Sequence, residues 1–209
     1  MTRRALLVCG MASSLLYIAT DLLGALRWNG YSYTSQSISE LMAICAPSRP
    51  LVVPLFLTYD LLVIAFAFGV WGSAGRKHSL RVVAGLLIGY GIVGLAGPLA
   101  PMHQRGVKGT LTDTKHITIT IVLVFFILLA IGFGANTFGK RFRLFSIDAL
   151  LVLIGFGALT GLDGPPLAAN LPTPWMGVHE RINVFGLMLW IAVLAIGLLR
   201  AEMWPISTH

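Results

Sequence analysis

The chain has 209 residues, of which 56% are hydrophobic and 11% charged, with a formal net charge of +7. A soluble domain carries roughly a quarter charged residues, so water is excluded as the main solvent. The basic residues do not point to nucleic acid either: they form short clusters at the ends of apolar segments, with no aromatic platform among them, as anchors to anionic lipid do.

A helix needs about 20 apolar residues to cross the hydrocarbon core. Six segments qualify: Ala5 to Leu26, Leu51 to Gly72, Val82 to Met102, His116 to Ala135, Ser146 to Leu162 and Ile182 to Leu199. They predict an all-α, polytopic bundle of six transmembrane helices forming a single domain over residues 1–209, its partner the lipid bilayer. The first segment follows Arg3 and Arg4 as a secretory signal would. Its apolar run of about 22 residues exceeds the roughly 7–15 of a signal, and no Ala-x-Ala pattern follows, so it is read as a retained helix. Cys9 and Cys45 are the only cysteines, too few for a disulfide framework.

Between the first two spans, Ser37-Ile-Ser-Glu40 has the spacing of a capping box ahead of Leu41 to Cys45, which predicts a short interfacial helix. Asp60 falls near the middle of the second span, where an unpaired charge costs at least ~2.5–3.5 kcal/mol. It is read as a proton relay or as a neutral acid bridging two helices, with Tyr59, Tyr90 and the shallower Asp21 as its polar neighbours. In the third span, Gly89-Tyr-Gly91-Ile-Val-Gly94 spells the dinucleotide fingerprint but has no strand before it. Small residues there, like the pairs Gly85 and Gly89 or Gly157 and Gly161, suit close helix packing. The fifth span is short and is expected to start in the basic stretch near Phe142, or to sit in thinned bilayer. Before the sixth, Pro165, Pro166, Pro172 and Pro174 stiffen a loop whose Trp175 suits the headgroup region.

The positive charges sort by loop. Arg3, Arg4, Arg76, Lys77, Arg81, Lys140, Arg141, Arg143 and Arg200 lie on one side, and Arg27, Arg49, Arg105, Lys108, Lys115 and Arg181 on the other. The positive-inside rule puts the first set, and both termini, in the cytoplasm of a cell-membrane protein.

The other face carries nearly all the remaining chemistry, so a polar pocket is expected there between the third, fourth and sixth spans, under the serine-rich loop. Asp113 and His116, three apart, present a carboxylate and an imidazole on one helical face. With His103 and His179 at the same depth they make the ligand set of a catalytic zinc that keeps a position for water. Glu180 as base, with Asp163, would complete a hydrolase acting on a lipid or amphiphile. Arg105, Lys115 and Arg181, beside two helix N-termini and with Ser39 and Glu40 above, suit a lipidic or anionic small-molecule ligand. The structural alternatives are that Thr110 or Thr112 caps the fourth helix with Asp113, and that Arg181 pairs with Asp163 or Glu180. Two further functions fit the same residues: a proton-coupled carrier or binder using Asp60 and Asp21, and haem ligation by two of these histidines. No Gly-x-Ser-x-Gly elbow frames the loop serines.

At these residues the chain resembles the prokaryotic integral membrane proteins grouped as domain of unknown function 998. The likeness runs through Tyr31-Ser-Tyr-Thr-Ser35-Gln-Ser-Ile-Ser-Glu40-Leu-Met, Pro101-Met-His103-Gln-Arg105-Gly, Leu111-Thr-Asp113-Thr-Lys-His116, and Glu180-Arg181-Ile-Asn183 leading into Leu189-Trp190. The resemblance implies a multi-helix membrane fold with a polar cluster at one face, and it supplies no substrate.

Overall fold

The computed structural model describes residues 2–107 and 109–203; Lys108, one of the cations counted above, lies outside them. Among the described residues the chain is all helical. The order is α1 (Arg3–Arg27), α2 (Arg49–Ser73), α3 (His78–Leu95), α4 (Leu111–Gly134), α5 (Lys140–Leu162), the short α6 (Gly164–Ala168) and α7 (Met176–Met203), with 3-10 turns at Ser39–Met42 and Gly97–Leu99. Six of these helices are long and apolar enough to cross a membrane, so this is a multi-pass membrane protein.

All but one of the long helices outrun the apolar segments that announce them, because capping residues and basic first turns extend those spans beyond their hydrocarbon-soluble part. α5 starts at Lys140, six residues before the predicted Ser146. α3 stops at Leu95 rather than Met102: Gly97-Pro98 cannot continue an α-helix, and the chain leaves through a 3-10 turn. The element predicted at Leu41 to Cys45 is a single turn at Ser39–Met42, with Leu41 fully buried. It plugs the end of the bundle rather than lying across it.

Successive helices run up and down in a closed ring: α1 packs on α2, α2 on α3, α3 on α4, α4 lightly on α5, α5 on α7, and α7 back on α1. Leu7, Val63, Phe66, Val83, Leu87, Ile131, Ile191 and Leu194 fill its middle. α1 and α2 pack closely at Gly69, where a Cβ would lie 3.0 Å from the backbone nitrogen of Leu7. Trp190 is fully buried; it reaches from α7 to Gly134 of α4 and donates Nε1–H to Ser146 Oγ of α5 at 3.0 Å. Of the glycine pairs expected to tighten packing, Gly89 receives Phe126 and Gly157 the Asn183 amide, whereas Gly85 and Gly161 have nothing within 4 Å.

Candidate functional site

One end of the ring carries Arg3, Arg76, Lys140 and Arg200, the other the long loops; they are called here the basic end and the polar end. At the polar end the loop 28–48 is drawn into the bundle by two guanidinium groups. Arg181, in the second turn of α7, is bidentate on Asp21 of α1, Nε to Oδ2 at 3.0 Å and Nη2 to Oδ1 at 2.9 Å. Its Nη1 donates to the carbonyls of Tyr33, Gln36 and Gly177, and Nη2 to the Tyr31 hydroxyl. The guanidinium stacks 3.6 Å from the Tyr33 ring centroid, and the Tyr33 hydroxyl donates to Asp21. Such a planar, forked donor is satisfied only where acceptors sit in its plane and an aromatic face lies against it. Burial is the main cause that raises the Tyr31 phenol and pushes Tyr33 up to about 12.

Glu40 is the second anchor. Ser37 N–H donates to its Oε2 at 2.7 Å and Glu40 N–H returns to Ser37 Oγ, completing the predicted capping box. Its carboxylate, 1% exposed, also accepts from Arg105 Nε at 2.7 Å and Nη2 at 2.9 Å. Arg105 goes on to Thr173 Oγ1 and the Ser35 carbonyl, so one side chain ties the α3–α4 loop, the first loop and the α6–α7 loop together. Glu180 accepts from Ile38 N–H and, at 3.4 Å, from Ser39 Oγ.

The residues expected to share a metal are divided. Asp113 accepts from the His103 backbone at 2.7 Å, lies 3.0 Å from His103 Nδ1, and takes the Thr110 N–H at 2.8 Å in a capping box that opens α4. His179 Nδ1 lies 3.0 Å from Asp163 Oδ2. His116 Nδ1 faces the Ala100 carbonyl at 3.2 Å. Among the described residues no three His, Cys, Asp or Glu side chains converge to hold a metal ion. The geometric reason is the ring: α7 sits between α1 and α5, away from the α3–α4 pair, so His103, Asp113 and His116 stand at one part of it and His179, Glu180 and Arg181 at another. Arg181 takes Asp21 as its partner, not Asp163 or Glu180, and Asp21 is thereby an ion-pair member instead of a free intramembrane acid. Lys115 stands apart from these groups and rims an apolar groove of about 350 Å³ with Ala96, Leu99 and Thr118. Tyr31, Tyr33 and Thr173 were missed as cluster members; two tyrosines one residue apart in the loop just ahead of the Ser37–Glu40 box are the signal that could have found the first two.

Beneath these loops the ring is uneven. α4 and α5 meet beside their short connection, where α4 buries Ile127, Ala130, Ile131 and Gly134 and α5 buries Phe142, Ser146 and Ala149. Towards the polar end α4 keeps one half-buried stripe, His116, Ile119, Leu123 and Phe126, on its α3 side, and α5 keeps Leu153, Phe156, Gly157 and Thr160. Every other residue of α4 from Ile117 to Phe125 is exposed. The two helices therefore diverge, and a wedge opens between them under loops that meet above it at Arg105 with Thr173 and at Gly106 with Asn170. The His103–Asp113 pair stands at the top of one post and the His179–Asp163 pair at the top of the other, with side chains 20% to 26% exposed. Down the α4 post from Asp113, helical spacing aligns Ile117, Thr120 and Val124, all exposed.

Comparison with curated proteins and with solved structures gives no match. Residues 11–197 match the model of the family described as "Protein of unknown function (DUF998)". That match takes in α2 to α5 whole and most of α1 and α7, and the chain belongs to this family.

Proposed function

We propose that the protein binds, and carries between the bilayer and its polar end, a lipidic or amphiphilic molecule that enters sideways between α4 and α5. The observation behind this reading is that α4 is exposed from Ile117 to Phe125 outside its α3-facing stripe while it packs only lightly on α5, under loops held in place by buried ion pairs. The walls of the wedge are apolar, matching an acyl chain along Ile117 and Val124, while its top is flanked by two imidazole–carboxylate pairs that suit a polar head group. The hydrolase reading has less support, because Glu180 is engaged with the Ile38 backbone and Ser39.

The test is photocrosslinking in reconstituted vesicles with a phospholipid carrying a diazirine in its acyl chain. Adducts should concentrate on Ile117, Val124 and the 154–162 stretch of α5. Equal labelling of Leu61 and Phe68 of α2, which are comparably exposed at 56% and 54%, would mean that lipid merely surrounds the bundle. The charge bias between loops supports an orientation with both termini cytoplasmic. Cys45, which is exposed, should then react with an impermeant maleimide on intact cells. Arg76→Cys in a Cys45→Ser background should not; the reverse pattern inverts the orientation.

A further inference from the structure

Five acidic groups at the polar end have found donors: Asp21 and Glu40 are held by arginines, Asp113 and Asp163 face histidines, and Glu180 takes a backbone N–H. Asp60 has not. It lies halfway along α2, is 6% exposed, and among the described residues no cation or hydrogen-bond donor reaches its carboxyl. Its carboxyl rests against the Cα of Gly94, where a Cβ would overlap Oδ1 and come within 2.6 Å of Cγ. α3 ends one residue later, at Leu95. The titratable groups facing this spot are tyrosines: Tyr59 on α2 and Tyr90 on α3, whose hydroxyls are 3.0 Å apart and bonded to each other, and Tyr17 on α1, edge-on to Tyr59 at 4.9 Å.

A carboxylate in such a place has no counter-charge and little access to solvent, whereas the neutral acid costs much less to bury there. We propose that Asp60 is a proton-binding site: the acid occupies the Gly94 notch only when protonated, and loses its proton only when α2 and α3 part enough to admit water. This lies in a different interface from the α4–α5 wedge and does not depend on the lipid-binding reading.

Dicyclohexylcarbodiimide, an apolar reagent that partitions into membranes, tests it. The carboxyl proton passes to a carbodiimide nitrogen, the carboxyl oxygen adds to the central carbon, and the O-acylisourea rearranges without water to a stable N-acylurea, so the product is a simple adduct. In native membranes mass spectrometry should find the adduct on Asp60, about tenfold less of it in alkaline than in mildly acidic buffer, as expected for a reaction that needs the protonated acid. A water-soluble carbodiimide should leave Asp60 unmodified. Gly94→Ala, which expels the carboxyl from its notch, should reverse that selectivity. Asp60→Asn, the neutral isostere, should fold as the parent does and take no adduct at this position. Absence of the Asp60 adduct while Asp113 or Asp163 is modified, labelling independent of pH, or an Asp60→Asn variant that fails to fold would each overturn the proposal.

Discussion

The two ends of the helical ring handle charge in opposite ways. At the polar end Arg181 and Asp21 are 5% and 0% exposed, and Arg105 grips a buried Glu40. At the basic end Arg3 and Arg4, 46% and 62% exposed, approach a Glu202 whose side chain is 16% exposed, and cohesion comes from Trp190, Phe142 and Phe138. A buried pair is costly to break because the survivor is left without water or partner, whereas an exposed pair is replaced by solvent at little loss. The ion pairs of the polar end therefore fix geometry: they decide where the 28–48 loop, the segment around Arg105 and the segment around Thr173 lie, and so whether the wedge between α4 and α5 has a roof.

The most severe way to break this contrast is Arg181→Leu. It strands Asp21 at 0% exposure and frees the carbonyls of Tyr33, Gln36 and Gly177, so it should destabilise the folded protein by about 3–5 kcal/mol. The check is the thermal midpoint in detergent, with Arg181→Leu/Asp21→Leu restoring part of the loss. A single variant no worse than the double would mean that the pair is not a buried anchor.

At the other end Trp190→Phe removes the bond to Ser146 Oγ and part of a packed ring. A loss of about 1–3 kcal/mol is expected, since the Ser146 hydroxyl stays behind in the core. Trp190→Phe with Ser146→Ala should cost less than the single change, read from the same melting curves.

A smaller effect follows from Tyr33, whose hydroxyl donates to Asp21 and whose phenol is pushed up to about 12 from the usual 10.0. An acid with a raised folded-state value contributes stability below its unfolded value and loses it as pH climbs through the folded one. Alkaline titration between those two values should loosen the 28–48 loop, seen as faster protease cleavage there, and Tyr33→Phe should flatten the dependence. Cleavage with the same pH profile in both proteins would show that Tyr33 is not the titrating group. The smallest expected change is at Arg3: Arg3→Gln should shift stability by under about 1 kcal/mol, with added salt abolishing even that. A large loss would erase the distinction between the two ends.

Much of the candidate site was visible along the chain as a set of residues and little of it as a set of partners. Arg181, Glu180, Arg105, Glu40 and Asp21 stand out because charge near a membrane span is costly and has to be explained. The Ser37–Glu40 capping box and the Thr110–Asp113 cap were legible because they are local, three residues apart on one turn. What spacing could not tell is that Arg181 reaches Asp21 across 160 residues, or that Arg105 reaches Glu40 across 65. The expected zinc set is not brought together among the described residues for the same reason: His103, Asp113, His116 and His179 share a depth, but depth is one coordinate of three.

Sequence alone determined the helical class, the six spans and the segregation of polar chemistry to one end, because the bilayer imposes length and apolarity on every crossing segment. The tertiary structure decided the order of the ring, with α7 between α1 and α5, the parting of α4 from α5, and the solitude of Asp60 beside Gly94. Those depend on which face each helix turns to its neighbour. Lipid is as apolar as a leucine, so a span's hydrophobicity says nothing about that choice; close packing and a few long-range polar bonds do.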